Sequence, residues 1–237
     1  MKINIKSSLG FLTMLLSAVQ LIAQNPIQSA PPEGMVYVPA GSFIMGSEIG
    51  DPDERPQHIA FTEAFYIDRY EVSNVEFARF DPAFKIPEGK ENNAARVTWS
   101  QANAYANWAG KRLPTEKEWE KAARGTDGRM FPWGNTFDIT YVIWDQSHPR
   151  GSAIAKPESP YGCIDMAGGV WEWTSNWYAP YPGNEVPMEQ YGEQYKVMRG
   201  GSNFNNQSFY RTTQRYYLLP EKISRYPVGF RCVKDVR

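Results

Sequence analysis

Histidine and cysteine are scarce in this chain of 237 residues, with two of each. His58 and His148 stand in unrelated segments, so a zinc or nonheme iron centre built on imidazoles is not expected. The chain lacks a Cys-x-x-Cys pair, a Gly-x-Ser-x-Gly elbow, a phosphate loop and a dinucleotide fingerprint, which removes the common signatures of redox, hydrolase and nucleotide chemistry. A dominant charge is missing too. With 25 Lys and Arg against 26 Asp and Glu, nothing pulls the whole chain toward nucleic acid or an anionic membrane.

A membrane-spanning run is also absent. Lys2 and Lys6 precede an apolar stretch from residue 9 to 23, short of the roughly 20 residues that cross a bilayer, and polar Gln24-Asn25-Pro26 follows. The pattern predicts a cleavable signal peptide over 1–24, a short lead over 25–32 and one domain over 33–237, exported to the periplasm or medium without a remaining membrane span. An uncleaved anchor is the alternative. No cysteine follows the run to accept a lipid, and loss of the two lysines takes the formal charge from −1 to −3. Residues 199–237 run against this balance, with eight Lys or Arg against Glu221 and Asp235; they are expected to pair with acids elsewhere in the fold rather than to form an anion groove.

Two cysteines in an exported chain predict one disulfide, Cys163 to Cys232. Closing a loop of about 70 residues would stabilise by about 4 kcal/mol. The sequence shows no linker or internal repeat, and its local signals are short. Residues 35–38 and 42–45 alternate around Pro39-Ala40-Gly41 and suggest a hairpin, with a further strand at 65–69. Thr98 with Gln101 and Thr115 with Glu118 form capping boxes before helices at 102–109 and 116–124, and Ser73 with Glu76 caps a short one at 74–80. The acidic turn Asp51-Pro52-Asp53-Glu54 reads as solvated.

What is abundant is glycine, proline and aromatic residues, concentrated where Trp171, Glu172, Trp173 and Trp177 follow two glycines. A carboxylate trapped among indoles needs a partner, either an arginine such as Arg199 or Arg231 or a bound cation. The segment Tyr161-Gly162-Cys163-Ile164-Asp165-Met166-Ala167-Gly168-Gly169-Val170-Trp171-Glu172-Trp173 resembles the signature of the formylglycine-generating enzyme, or sulfatase-modifying factor, family. Met35 to Phe43 with Met45-Gly46, Arg69-Tyr70-Glu71-Val72-Ser73-Asn74, Trp108 to Glu116, Arg199-Gly200-Gly201-Ser202 and Gly229-Phe230-Arg231-Cys232 match it in the same order. The resemblance implies a single α+β domain akin to an elaborated C-type lectin, with short sheets, two or three helices and long ordered loops.

The resemblance also implies a calcium site: Asp165 and Glu172 by side chain, Gly168 and Val170 by carbonyl oxygen, a mixture that calcium accepts. The family's oxidising members convert a cysteine in a Cys-x-Pro-x-Arg peptide with oxygen, on Cu(I) held by two thiolates just beyond the Gly-Gly-Ser motif. Those two positions fall on Asn205 and Tyr210. An amide and a neutral phenol are hard, weak ligands for soft Cu(I), so copper is not expected. The remaining groove is expected to have Trp171, Ser202, Asn205, Phe209, Tyr210 and Arg211 on its walls and to suit a peptide, protein or glycan. The same aromatics also read as ordinary packing. Two functions follow: a calcium-stabilised binding or assembly module of the envelope, or an exported oxidoreductase of non-copper mechanism using Tyr210 and Glu172.

Overall fold

In the computed structural model, residues 30–143, 149–152 and 158–236 are described; the expected signal peptide over 1–24 and His148 lie outside them. Residues from Pro31 to Arg237 form one unit. Its three helices start where the capping boxes stand. Ser73, Thr98 and Thr115 accept from the N–H three residues on, and Glu76, Gln101 and Glu118 return the bond, opening α1 (Asn74–Phe80), α2 (Trp99–Trp108) and α3 (Glu116–Arg124). The first and third have the expected bounds. The second starts three residues early because the box, not the apolar run, sets the first turn.

Among the described residues nine short strands make three sheets: β1 (Met35–Val38), β2 (Gly41–Met45), β3 (His58–Thr62), β4 (Phe65–Asp68), β5 (Trp171–Trp177), β6 (Lys196–Arg199), β7 (Arg215–Leu218), β8 (Val228–Gly229) and β9 (Val233–Asp235). Their orders are β1-β4-β9, β2-β3 and β7-β6-β5-β8, with only the β5–β8 pairing parallel among these strands. The expected β1–β2 hairpin does not form. Instead the chain turns a corner between two sheets, and Lys121 Nζ of α3 holds that corner by donating to Pro39 O at 2.7 Å, Gly41 O at 2.9 Å and Thr62 Oγ1 at 2.9 Å. A nearly fully buried ammonium with three acceptors outweighs a local turn preference.

Two of the hydrophobic clusters position the site. Phe77 and Tyr105 of the first two helices meet Trp171, Trp173 and Phe230 in one cluster, while Trp119 and Ala122 of α3 meet Val38, Ile67 and Val233 in another. The α+β fold with short sheets is the one the sequence implies. Trp108 at the end of α2 is 56% exposed, its ring tilted against Tyr105 at a centroid distance of 5.6 Å and against Phe80 at 5.7 Å.

Candidate functional site

Glu172 on β5 answers the question its surroundings pose. Arg231 donates to it twice, from Nε to Oε2 and from Nη2 to Oε1, each at 2.7 Å, and Trp119 Nε1 adds a third bond at 2.8 Å. Arg231 is fully buried and uses its other donors on the carbonyl oxygens of Asp68, Arg69 and Ile164. Of the partners weighed for Glu172, this structure shows the arginine. Three more of the C-terminal arginines find acids: Arg199 bonds Glu116 at 2.7 Å and Glu120 at 2.6 Å, Arg215 bonds Glu116 at 2.6 Å, and Arg211 bonds Glu54 at 2.5 Å, while Arg225 donates to the hydroxyl of Tyr226.

Beside this pair lie two carboxylates less well provided for. Glu71, from the segment that follows β4, and Asp165, held at φ 57° before the glycine turn, are each 2% exposed. Glu71 Oε2 and Asp165 Oδ1 have no hydrogen-bond partner among the described residues. Burial pushes Asp165 up to about 6, with the charge of Glu172 adding to it against the Gly151 N–H and Arg231. Burial and then the charge of Asp165 raise Glu71 well above the carboxylate range. Arg231 stands 3.9 Å from Glu71, so one guanidinium serves both Glu172 and Glu71, and its charge also reaches Asp165. The turn between them needs glycine: Gly168 has φ 84°, and a Cβ there would meet Val142 Cγ1 at 2.4 Å. The expected calcium ligands are thus divided, with Asp165 holding an unused oxygen and Glu172 fully engaged by Arg231 and Trp119.

The six residues expected on one groove wall fall in three places. Ser202 and Asn205 close a tight turn in which Asn205 Oδ1 accepts from Ser202 N at 2.8 Å and Oγ at 2.9 Å. Tyr210 is buried beside it, donates from its hydroxyl to Asn205 O at 2.8 Å, and stacks on Phe137 at 6.2 Å. Trp171 is 1% exposed under Tyr216, which stacks on it at 5.3 Å, with the edge of Phe209 at 6.2 Å. Arg211 turns away to Glu54. That acid belongs to the turn expected to be solvated. It is instead fully buried, holding Arg211 and Thr213 Oγ1, while Asp53 accepts from Tyr178 OH at 2.7 Å.

Cys163 and Cys232 are buried free thiols, so the expected disulfide is absent. Successive side chains of an extended segment point to opposite faces. Val233 therefore enters the α3 cluster that contains Cys163, and Cys232 faces the Phe77 and Tyr105 cluster on the other side.

Two of the cavities among the described residues bear on the expected groove and the glycine turn. The smaller, of about 350 Å³, is lined by Phe209, Tyr216, Tyr217, Tyr178 and Asp51 among others, and so takes in one of the six expected residues. The larger, of about 460 Å³, lies across the glycine turn, bounded by Glu71, Gly169, Val170, Asn203, Arg96 and Arg150. Of these only Val170 was expected at a site, as a calcium ligand; Glu71 stands in a matching segment, but a lone carboxylate before a helix cap carries no spacing signal.

A family model described as the sulfatase-modifying factor enzyme 1-like domain matches residues 19–236. The formylglycine-generating enzyme of Bos taurus is 31% identical, covering 87% of this chain and 76% of that protein. The inactive C-alpha-formylglycine-generating enzyme 2 of Mus musculus is 28% identical over 85% of each. Among solved structures, PvdO from Pseudomonas aeruginosa shares the fold with a TM-score of 0.71 at 24% identity, covering 85% of this chain and 94% of that one.

Proposed function

This chain belongs to the sulfatase-modifying factor family, and on that premise we propose that it is an exported, calcium-stabilised binding or assembly module of the cell envelope without copper-dependent formylglycine formation. The observation that carries the reading is the closed turn of Ser202, Asn205 and Tyr210. At the two positions where the family resemblance puts copper thiolates, an amide oxygen is engaged by Ser202 and a phenol by backbone carbonyls. Neither offers a soft donor, and burial pushes the Tyr210 phenol up to about 12, which keeps it neutral. Cys163 and Cys232 are buried in the core away from this turn. Existence of a relative whose name calls it inactive is consistent with loss of the chemistry on this scaffold.

Calcium fits the residues in part. Asp165, with the carbonyl oxygens of Gly168 and Val170, would hold it, and the unpartnered oxygens of Asp165 and Glu71 mark where positive charge is short. Bound there, the ion would neutralise the surplus of carboxylates and fasten the glycine turn; Glu172 would contribute through Arg231 rather than as a ligand. The oxidoreductase alternative requires Tyr210 or Glu172 as a working group, and both are committed to other partners.

The deciding experiment incubates Cu(I)-loaded protein with a Cys-x-Pro-x-Arg peptide under oxygen and follows peptide mass. No aldehyde is expected; its appearance would overturn the reading.

A further inference from the structure

Three buried oxygens around the glycine turn lack a donor. Glu71 Oε2, Asp165 Oδ1 and Asn203 Oδ1 have no hydrogen-bond partner among the described residues, and Glu71 and Asp165 are each 2% exposed. Separate segments bring them to the turn. A Cβ built on Gly169 would lie 3.6 Å from Glu71 Oε1, Asn203 N donates to Gly169 O at 3.2 Å, and Glu71, Gly169, Val170 and Asn203 border one cavity. Asp165 opens the turn itself, with its other oxygen taken by the Gly151 N–H. The N–H groups that the turn could offer are spent elsewhere, Gly168 N on Gly200 O at 2.9 Å and Gly169 N on Ile143 O at 3.0 Å. Arg231 does not close the deficit: its Nη2 bonds Glu172 Oε1 and Ile164 O and stands 3.9 Å from Glu71 Oε2, too far for a hydrogen bond. A water molecule there would leave the charge of Asp165 acting on Glu71, whereas a divalent cation answers carboxylates and amide oxygen together.

We propose that calcium is held here by Glu71 and Asp165 as its two carboxylates, with Asn203 Oδ1 and the carbonyl oxygens of Gly168 and Val170, and that Glu172 is not a ligand. The inference rests on the calcium-stabilised reading above and gives the ion a donor set different from the one the family resemblance implies. That set is all oxygen, and among the described residues no further Asp or Glu and no His or Cys joins the two carboxylates, which suits calcium and not a transition metal. Glu172 spends both oxygens on Arg231 and Trp119. Drawing it to the ion would strip a fully buried guanidinium of its counter-charge. With donors from residues 71, 165–170 and 203, the ion would tie together three segments distant in sequence.

Calorimetric titration of the full-length mature protein with calcium, together with melting in calcium and in chelator, tests the assignment on three variants. Glu71→Gln keeps the shape and removes the charge. It should weaken calcium binding by at least about a hundredfold, the upper end of what loss of an outer-sphere partner costs, yet melt no lower than wild type in chelator, where a buried carboxylate without a partner stabilises nothing. Asn203→Asp should tighten binding by roughly tenfold through its added charge. Glu172→Gln should lower the melting temperature equally in calcium and in chelator, since it only unpairs Arg231; the first two variants decide the case even where this one fails to fold. Calcium binding untouched by Glu71→Gln, weaker binding by Asn203→Asp, or a Glu71→Gln variant that loses as much melting temperature in chelator as in calcium would overturn the proposal. Absence of calcium binding by the wild type would overturn it together with the calcium part of the reading above. The aldehyde assay answers to the loss of copper chemistry alone, so the two readings fail separately.

Discussion

Cys163 and Cys232 illustrate how much a single residue's chemistry depends on its surroundings. Burial pushes the Cys163 thiol up to about 11, against the opposing charge of Arg231, and burial followed by the charge of Asp68 raises Cys232 well above the usual thiol range. A thiol held neutral is a poor nucleophile. Native protein at pH 8 is therefore expected to resist iodoacetamide, and to take up two equivalents once unfolded without reductant; uptake of none after unfolding would mean that the pair is oxidised. Glu116 shows the reverse. Burial alone would raise it, but Arg215 and Arg199 outweigh burial and hold it below its ordinary value of 4.5. A depressed acid contributes stability that is present above 4.5 and lost as pH falls through the folded value. Glu116→Gln should cost about 3 kcal/mol at pH 7, because two buried guanidinium groups lose their counter-charge. The gap in melting temperature between variant and wild type should then narrow below pH 4.5, and a gap independent of pH would refute this account.

The helices and the sheets differed in how far local sequence revealed them. Capping boxes act over three residues, so Thr115 with Glu118 announced α3 directly, and its first-turn acids and last-turn Lys121 and Arg124 agree with the helix dipole. Thr115→Ala is expected to destabilise by about 1 kcal/mol in chemical denaturation, with Thr115→Ser restoring most of it. Strand pairing was not legible in the same way. β1 pairs with β4, which pairs in turn with β9 near the other end of the sequence, and the Pro39-Ala40-Gly41 sequence fits a hairpin as well as it fits the corner that Lys121 fastens. The candidate site divided along the same line: the glycine turn and the need of Glu172 for a partner could be read from neighbours in sequence, whereas its pairing with Arg231 and the meeting of Glu71 with Asp165 depend on distant segments packing together.

Across the whole molecule the fold was legible because six ordered segments carry it, and the larger cavity was not, because it gathers residues from separate loops. The same loops bear on stability. If calcium bridges Asp165 and its glycine turn, saturating calcium should raise the melting temperature by roughly 5 to 10 °C and chelation should reverse it, as binding linkage requires. Asp165→Asn should abolish the response. A wild-type melting temperature indifferent to calcium, with no heat of binding, would remove the ion from the description.

Arg231 has a consequence for the order in which the chain becomes a protein. It follows β8 and precedes β9, yet Glu172, the carbonyl oxygens of Asp68, Arg69 and Ile164, and two sheets all rely on it or its immediate neighbours. Until residues 228–235 have been synthesised, Glu172 has no counter-charge and β5 lacks its parallel neighbour. A nascent chain stopped short of them should remain sensitive to protease, and compaction should arrive in one late step once they emerge.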